Sequence, residues 1–116
     1  MSNGEVKYDG GWKADKKEGS GSMWRKGNAN KKYVGEFKGD KREGSGALYY
    51  ISGVRKYKGQ WKGDKRNGLG FSYFGNGNKL YEGQWKNGNR HGQGTTFYVN
   101  GDKDFTGRWR NDNKLV

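Results

Sequence analysis

The chain contains no cysteine and no proline, a single histidine, and few branched aliphatic side chains. Without cysteine there is no disulfide, no thiolate zinc site and no cysteine nucleophile, and the chain suits a reducing compartment. Apolar residues make up 28% of its 116 residues. That is well below the roughly 45 to 50% of ordinary globular domains, so a conventional two-layer core is out of reach and the chain is one domain at most. No run approaches the ~18 apolar residues of a membrane span, and the opening MSNGEVKYDGG carries no apolar signal segment. Neither a span nor a secretory signal is expected, and an intracellular, cytoplasmic location is.

What is present is aromatic and basic: 5 Trp, 8 Tyr and 5 Phe, 23 Gly, and a formal net charge of +12. Low hydrophobicity with high charge ordinarily signals disorder, but disordered chains are poor in aromatics. Here the aromatics stand at fixed intervals, so burial must come from large flat side chains. The glycines, without proline beside them, point to backbone positions that need positive φ or close approach rather than to a flexible linker.

An aromatic leads each of five units, at Tyr8, Tyr33, Tyr57, Tyr81 and Phe105, with one interval of 25 and three of 24. Two residues after each leader stands Gly10, Gly35, Gly59, Gly83 or Gly107. Four residues after it stands Trp12, Phe37, Trp61, Trp85 or Trp109. Eleven and thirteen residues on come Gly19 and Gly21, Gly44 and Gly46, Gly68 and Gly70, Gly92 and Gly94, and the fifth unit stops before this pair.

Spacing by two is strand periodicity, which puts leader, glycine and tryptophan on one face of an extended segment. The polar stretch that follows, KGDKRN at 62 to 67, has turn chemistry. A second segment opens on Gly-x-Gly, as in GLGFSYF at 68 to 74, and ends in a second turn such as Gly-Asn-Gly at 75 to 77. Each unit is therefore one hairpin. If the leader ring lies across the neighbouring strand, only a strand without Cβ leaves room for it, and Gly-x-Gly supplies that. One such unit could not fold alone, whereas several stacked units could.

The pattern carried by Tyr57, Gly59, Trp61, Gly63, Gly68 and Gly70 resembles the MORN repeat (membrane occupation and recognition nexus). The resemblance runs from residue 8 to 116, with repeats at 8–32, 33–56, 57–80 and 81–104, a half repeat at 105–116, and a lead-in at 1–7. It implies an all-β fold, an elongated single-layer twisted antiparallel sheet of consecutive hairpins. The first unit departs from the pattern with Gly11 after Gly10, Ala14 in place of a turn glycine, and an extra residue in NANKK at 28 to 32. An atypical cap is expected there.

Two basic columns stand out as anion-binding candidates. Five residues after the leaders are Lys13, Lys38, Lys62, Lys86 and Arg110; nine after are Lys17, Arg42, Arg66, Arg90 and Lys114. The acids common beside MORN leaders survive only as Asp9, Glu36 and Glu82, with Val34, Lys58, Gln60, Gln84, Thr106 and Arg108 elsewhere, which helps account for the net charge. Successive hairpins lie about 9.6 Å apart at the usual strand spacing, against a Debye length of roughly 8 Å, so repulsion along a row is modest while a polyanion meets many charges together. The alternative is a solvated row that keeps the sheet soluble.

Trp24, Tyr49, Tyr73 and Phe97 form a further aromatic column, followed directly by Tyr50, Phe74 and Tyr98. Adjacent strand residues face opposite ways, so one row lies on the face away from the packed glycines and, with Trp109, is a candidate partner surface; the other reading is that twist covers both rows. The two edge strands could also accept another strand, and the final FTGRWRNDNKLV opens that route to homo-oligomers, with Arg108 and Arg110 as charge guards.

No nucleophile and base stand together. His91 precedes Gly92, where MORN repeats often have histidine, and is read as a turn residue. Asp15, Asp40, Asp64 and Asp112 suit Asx turns rather than a calcium cage, and Gly-x-Gly opens strands rather than a helix, so it cradles no phosphate. No catalytic residue, cofactor or metal is expected. The resemblance implies a protein-binding scaffold of the kind found in cytoskeletal and ciliary axonemal assemblies, its partner a helix or peptide on the sheet face or a paired edge strand. An anionic phospholipid surface is the alternative, and nucleic acid ranks below both.

Overall fold

The computed structural model describes residues 7–115, so most of the lead-in and Val116 lie outside the described residues. Ten strands run in sequence order as one antiparallel sheet: β1 Lys7–Lys13, β2 Lys16–Trp24, β3 Lys31–Lys38, β4 Lys41–Tyr49, β5 Arg55–Lys62, β6 Lys65–Tyr73, β7 Lys79–Lys86, β8 Asn89–Phe97, β9 Lys103–Arg110 and β10 Asn113–Leu115. The dimensions of 50 × 28 × 18 Å match strands stacked along the long axis. Among the described residues only β1 and β10 have a single neighbour.

Each hairpin tip is a two-residue turn with both central residues at positive φ, as at Gly63 (53°) and Asp64 (71°). This is the type I′ geometry whose twist suits paired strands. The repeat junctions use a different turn, in which the Gly53 amide donates to Tyr50 O at 2.9 Å and the Tyr50 amide to Val54 O at 2.8 Å.

The sheet has one packed face. Tyr33, Tyr57 and Tyr81 are fully buried there, with Phe37, Trp61, Trp85 and Trp109 nearly so. Each tryptophan wedges edge to face between its own leader and the preceding one: Trp61 lies 5.1 Å from Tyr57 and 5.7 Å from Tyr33 between ring centroids. Such pairs add about 0.5–1.5 kcal/mol each beyond area burial. The Tyr57 ring crosses Gly59 and Gly70, which pair with each other, and its hydroxyl donates to Gln60 O at 2.9 Å. A Cβ on Gly46, Gly70 or Gly94 would fall on the ring of Tyr33, Tyr57 or Tyr81. The glycine columns thus form the bed of an aromatic ladder, as the spacing predicts. Trp12 meets Tyr8 but has no earlier leader beside it among the described residues, and it is 60% exposed. Among the described residues the ladder begins with this unit.

Candidate functional site

Alternation along the strands places leaders +1, +3 and +5 on the face opposite the ladder. Val34, Ala47, Leu69 and Phe71 meet there in a trough of about 410 Å³, with Lys58, Gln60 and Ser45 on its walls. Register explains the gathering: Val34 pairs with Ala47, Ala47 with Lys58, and Lys58 with Phe71. Leu69 is 51% exposed, so this apolar surface lies open to solvent.

Both long margins of that face are cationic. At the hairpin tips Lys13 pairs with Lys16, Lys38 with Lys41 and Lys62 with Lys65, and these six, Lys86 and Arg110 are exposed. Lys16, Lys41 and Lys65 are functional candidates missed from sequence; their signal was the cross-turn register, in which a two-residue turn sets leader +5 opposite leader +8. At the repeat junctions Lys7 and Lys31 lie over Trp24, Arg55 over Tyr73 and Lys79 over Phe97, at 5.2 to 5.9 Å from the ring centroids. Trp24, Tyr73 and Phe97 of this column, which also includes Tyr49, therefore each carry a cation over the ring, and alternation sets the column on the side of the open face. Alternation puts Tyr50 and Phe74 on the ladder side, where one cavity is lined by Tyr50, Ser72 and Tyr73 and another by Phe74, Thr96 and Phe97. The Tyr50 hydroxyl donates to Tyr73 O at 2.6 Å. Tyr98, at the junction turn, is 54% exposed. Trp109 is a correction: 3% exposed, it is enclosed by Tyr81 and Phe105, with its Nε1 donating to Gly94 O at 3.2 Å.

The second basic column is largely engaged. Arg42 lies 4.3 Å from the Trp61 centroid, and its Nε and backbone amide both donate to Asp64 Oδ1, at 3.0 and 2.8 Å. Arg90 repeats this over Trp109 with Asp112, and Lys17 pairs with Asp40 at 3.7 Å. Lys114 lies over Phe105. An open anion-binding row does not survive for Lys17, Arg42 and Arg90, because a carboxylate from the next hairpin already holds each one. The aspartates in turn tie the next repeat's tip to the strand before it, which is a larger role than a local Asx turn. Glu18 and Glu43 do likewise, accepting from the amides of Gly39 and Gly63.

Burial opposes ionisation of Asp64, but the hydrogen bonds and charge of Arg42 outweigh it and hold the carboxyl below the ordinary range. A carboxyl with a lowered folded pKa contributes stability above its unfolded pKa of about 4, and loses it as pH falls through the folded value. Asp64→Asn is therefore expected to flatten part of the acid loss of stability, read as a smaller change in urea midpoint between neutral and acidic buffer than the parent shows. An unchanged pH dependence would remove Asp64 from this role.

His91 lies inside β8 beside the bulge at Gly92, not in a turn, and its Nδ1 is buried without a partner. Among the described residues no three His, Asp or Glu side chains gather as a metal set, and no helix is long and apolar enough to cross a membrane.

The family model described as MORN repeat matches residues 8–29, 33–55, 57–79 and 81–103. No curated protein matches the chain.

Proposed function

The chain belongs to the MORN-repeat family, and from that premise we propose that it is a non-catalytic scaffold that holds a protein partner on the face opposite its aromatic ladder. The apolar trough between two cationic margins carries this reading. Its occupant is a segment with apolar side chains along the middle and carboxylates on both flanks, because that pattern complements the trough and both rails while keeping the charges at the solvated rim. A structural subunit of a cytoskeletal or ciliary axonemal assembly is the setting we infer for it.

Leu69→Glu with Phe71→Glu tests the trough. Placing carboxylates against buried apolar groups is expected to weaken capture of partners from native extract by about tenfold or more, with thermal unfolding nearly unchanged since neither residue belongs to the ladder. Retention of the same proteins at the same yield would sink the trough as the docking site.

One observation favours a second reading, an anionic phospholipid surface: the hairpin-tip lysines are exposed along the whole array. Lysines near such a surface contribute about 1 kcal/mol each. Vesicles containing phosphatidylserine or phosphoinositide are then expected to sediment the protein, salt-sensitively, and charge reversal at Lys38, Lys41, Lys62 and Lys65 to abolish it. Arg42 and Arg90 must stay intact in that test, since removing them would damage the fold. Salt-independent sedimentation would count against the lipid reading.

A further inference from the structure

The inter-repeat clamp is complete at three junctions and incomplete at one. Lys17 meets Asp40, Arg42 meets Asp64 and Arg90 meets Asp112, but at the position where Arg66 should meet an aspartate the chain has Gly88. The backbone there is the same as elsewhere: the Gly88 amide donates to Arg66 O at 2.9 Å, as Asp64 does to Arg42 O at 3.0 Å and Asp112 to Arg90 O at 2.9 Å. Only the carboxylate is missing. A Cβ built on Gly88 would meet nothing within 4 Å, so the place the side chain would take is open.

Arg66 is nevertheless held in the clamp posture, its guanidinium 4.9 Å from the Tyr57 centroid and 5.1 Å from that of Trp85. Among the described residues its side chain has no carboxylate within ion-pair distance. At the filled junctions one oxygen, Asp64 Oδ1 or Asp112 Oδ1, accepts from both the backbone amide and Nε of the arginine. Arg66 offers the same pair of donors with no acceptor supplied. Gly88 and Arg66 line one cavity of about 280 Å³ on the ladder side, together with Lys56, Arg90 and Asp112. Asp112 is already bonded to Arg90, so the cavity keeps an excess of positive charge. Its wall also includes Ser72, 7% exposed, whose hydroxyl is buried without a partner.

We propose that the notch at Gly88 is a carboxylate-binding site, in which an aspartate or glutamate side chain supplied by another chain completes the Arg66 clamp that the protein completes for itself elsewhere. The neighbouring junctions define the ligand: a planar carboxylate received by a backbone N–H and a guanidinium Nε–H, with the arginine pre-positioned by two rings so that little side-chain freedom is lost on binding. Burial holds the Arg66 guanidinium somewhat below the ordinary arginine pKa, with the charge of Tyr57 acting the other way, and a cation short of solvation gains from an incoming anion. The site lies on the face away from the apolar trough, so it stands or falls separately from the trough as a docking surface.

The experiment is an NMR titration of the folded protein with sodium acetate, sodium chloride at equal ionic strength serving as the reference. A capped Gly-Asp dipeptide forms a second arm that distinguishes a peptide-borne carboxylate from a free one. Acetate is expected to move the backbone amide and Nε resonances of Arg66 well beyond those of Arg42 and Arg90, whose acceptors are already present, and the dipeptide to do so at lower concentration. Gly88→Asp supplies the carboxylate internally. Aspartate is accommodated at that turn position, since Asp40, Asp64 and Asp112 all sit at φ 71° against 88° for Gly88. The variant should weaken the acetate response of Arg66 about tenfold or more, the fold-change of one charge-assisted hydrogen bond. Arg66→Lys, which keeps the charge but not the Nε–H, should weaken it as well. A response at Arg66 no larger than at Arg42 and Arg90, or an undiminished response in Gly88→Asp, overturns the site. Movement with acetate but none with the dipeptide overturns the protein-borne ligand and leaves a small free carboxylate.

Discussion

Gly70→Ala is expected to cost about 3 kcal/mol or more, the upper end of what an inserted methyl does in a filled core. The new Cβ would fall on the ring and hydroxyl of Tyr57. The ring cannot give way, because Trp61 and Trp85 stand edge-on at 5.1 and 5.5 Å and Arg66 covers it. Nor can the strand retreat, because Gly70 is paired with Gly59 on one side and Gly83 on the other. Gly75→Ala is the matched control: its Cβ would meet nothing and its φ is not positive. A change within about 0.5 kcal/mol is expected there. Urea unfolding of the two variants separates the cases, and equal midpoints would mean that the glycine column is not the bed of the ladder.

Tyr57→Ala is expected to cost about 3–5 kcal/mol, by emptying space rather than overfilling it. Tyr57 is fully buried and shares rings with tryptophans from two repeats, so its loss removes the contact within a unit and the contact between units together. In a linear array those interface terms couple neighbours. Unfolding should therefore broaden or split as well as shift, an outcome that separates this variant from Trp12→Ala at the exposed end. Tyr57→Phe keeps the ring and loses the hydrogen bond to Gln60 O, an effect of about 1 kcal/mol. The same tyrosine sets an alkaline limit. Burial pushes its pKa up to about 12, with Arg66 and the Gln60 hydrogen bond acting the other way. The fold therefore favours neutral phenol, and that contribution is whole below the unfolded value of about 10 and lost as pH rises from there toward 12. A parent protein with the same alkaline midpoint as Tyr57→Phe would contradict this.

The fold was legible because its cause is periodic. Leader, glycine and tryptophan recur at two-residue spacing, and each needs the others: the ring needs the bare strand, and the tryptophan needs two rings. The site was legible only in part. That one aromatic row must face away from the ladder followed from alternation, and Trp24, Tyr49, Tyr73 and Phe97 do so by register. Trp109 misled because a tryptophan in the last half unit looks unfinished, whereas the ladder encloses it through Tyr81, which stands 28 residues earlier. The arginine column misled for a related reason. Arg42 and Asp64 are 22 residues apart, and nothing in a single repeat shows that they meet. Once that pairing is known, the absence of an aspartate at Gly88 becomes readable in the sequence itself. The trough was out of reach, because only Ala47 and Phe71 share a column, 24 residues apart, while Val34 and Leu69 join them from two other columns whose remaining members are mostly polar.

The account divides the sheet into a ladder face that builds the fold, with the Arg66 notch as a separate site on it, and an open face that carries the docking trough. Site-specific photo-crosslinking in native extract tests that division most directly, with the crosslinking residue placed at Leu69 on the open face or at exposed Trp12 on the ladder side. Discrete protein adducts from position 69, lost when Phe71 is changed to Glu and absent from position 12, are the predicted result. Equal adducts from both positions, or lipid adducts alone from position 69, would contradict it.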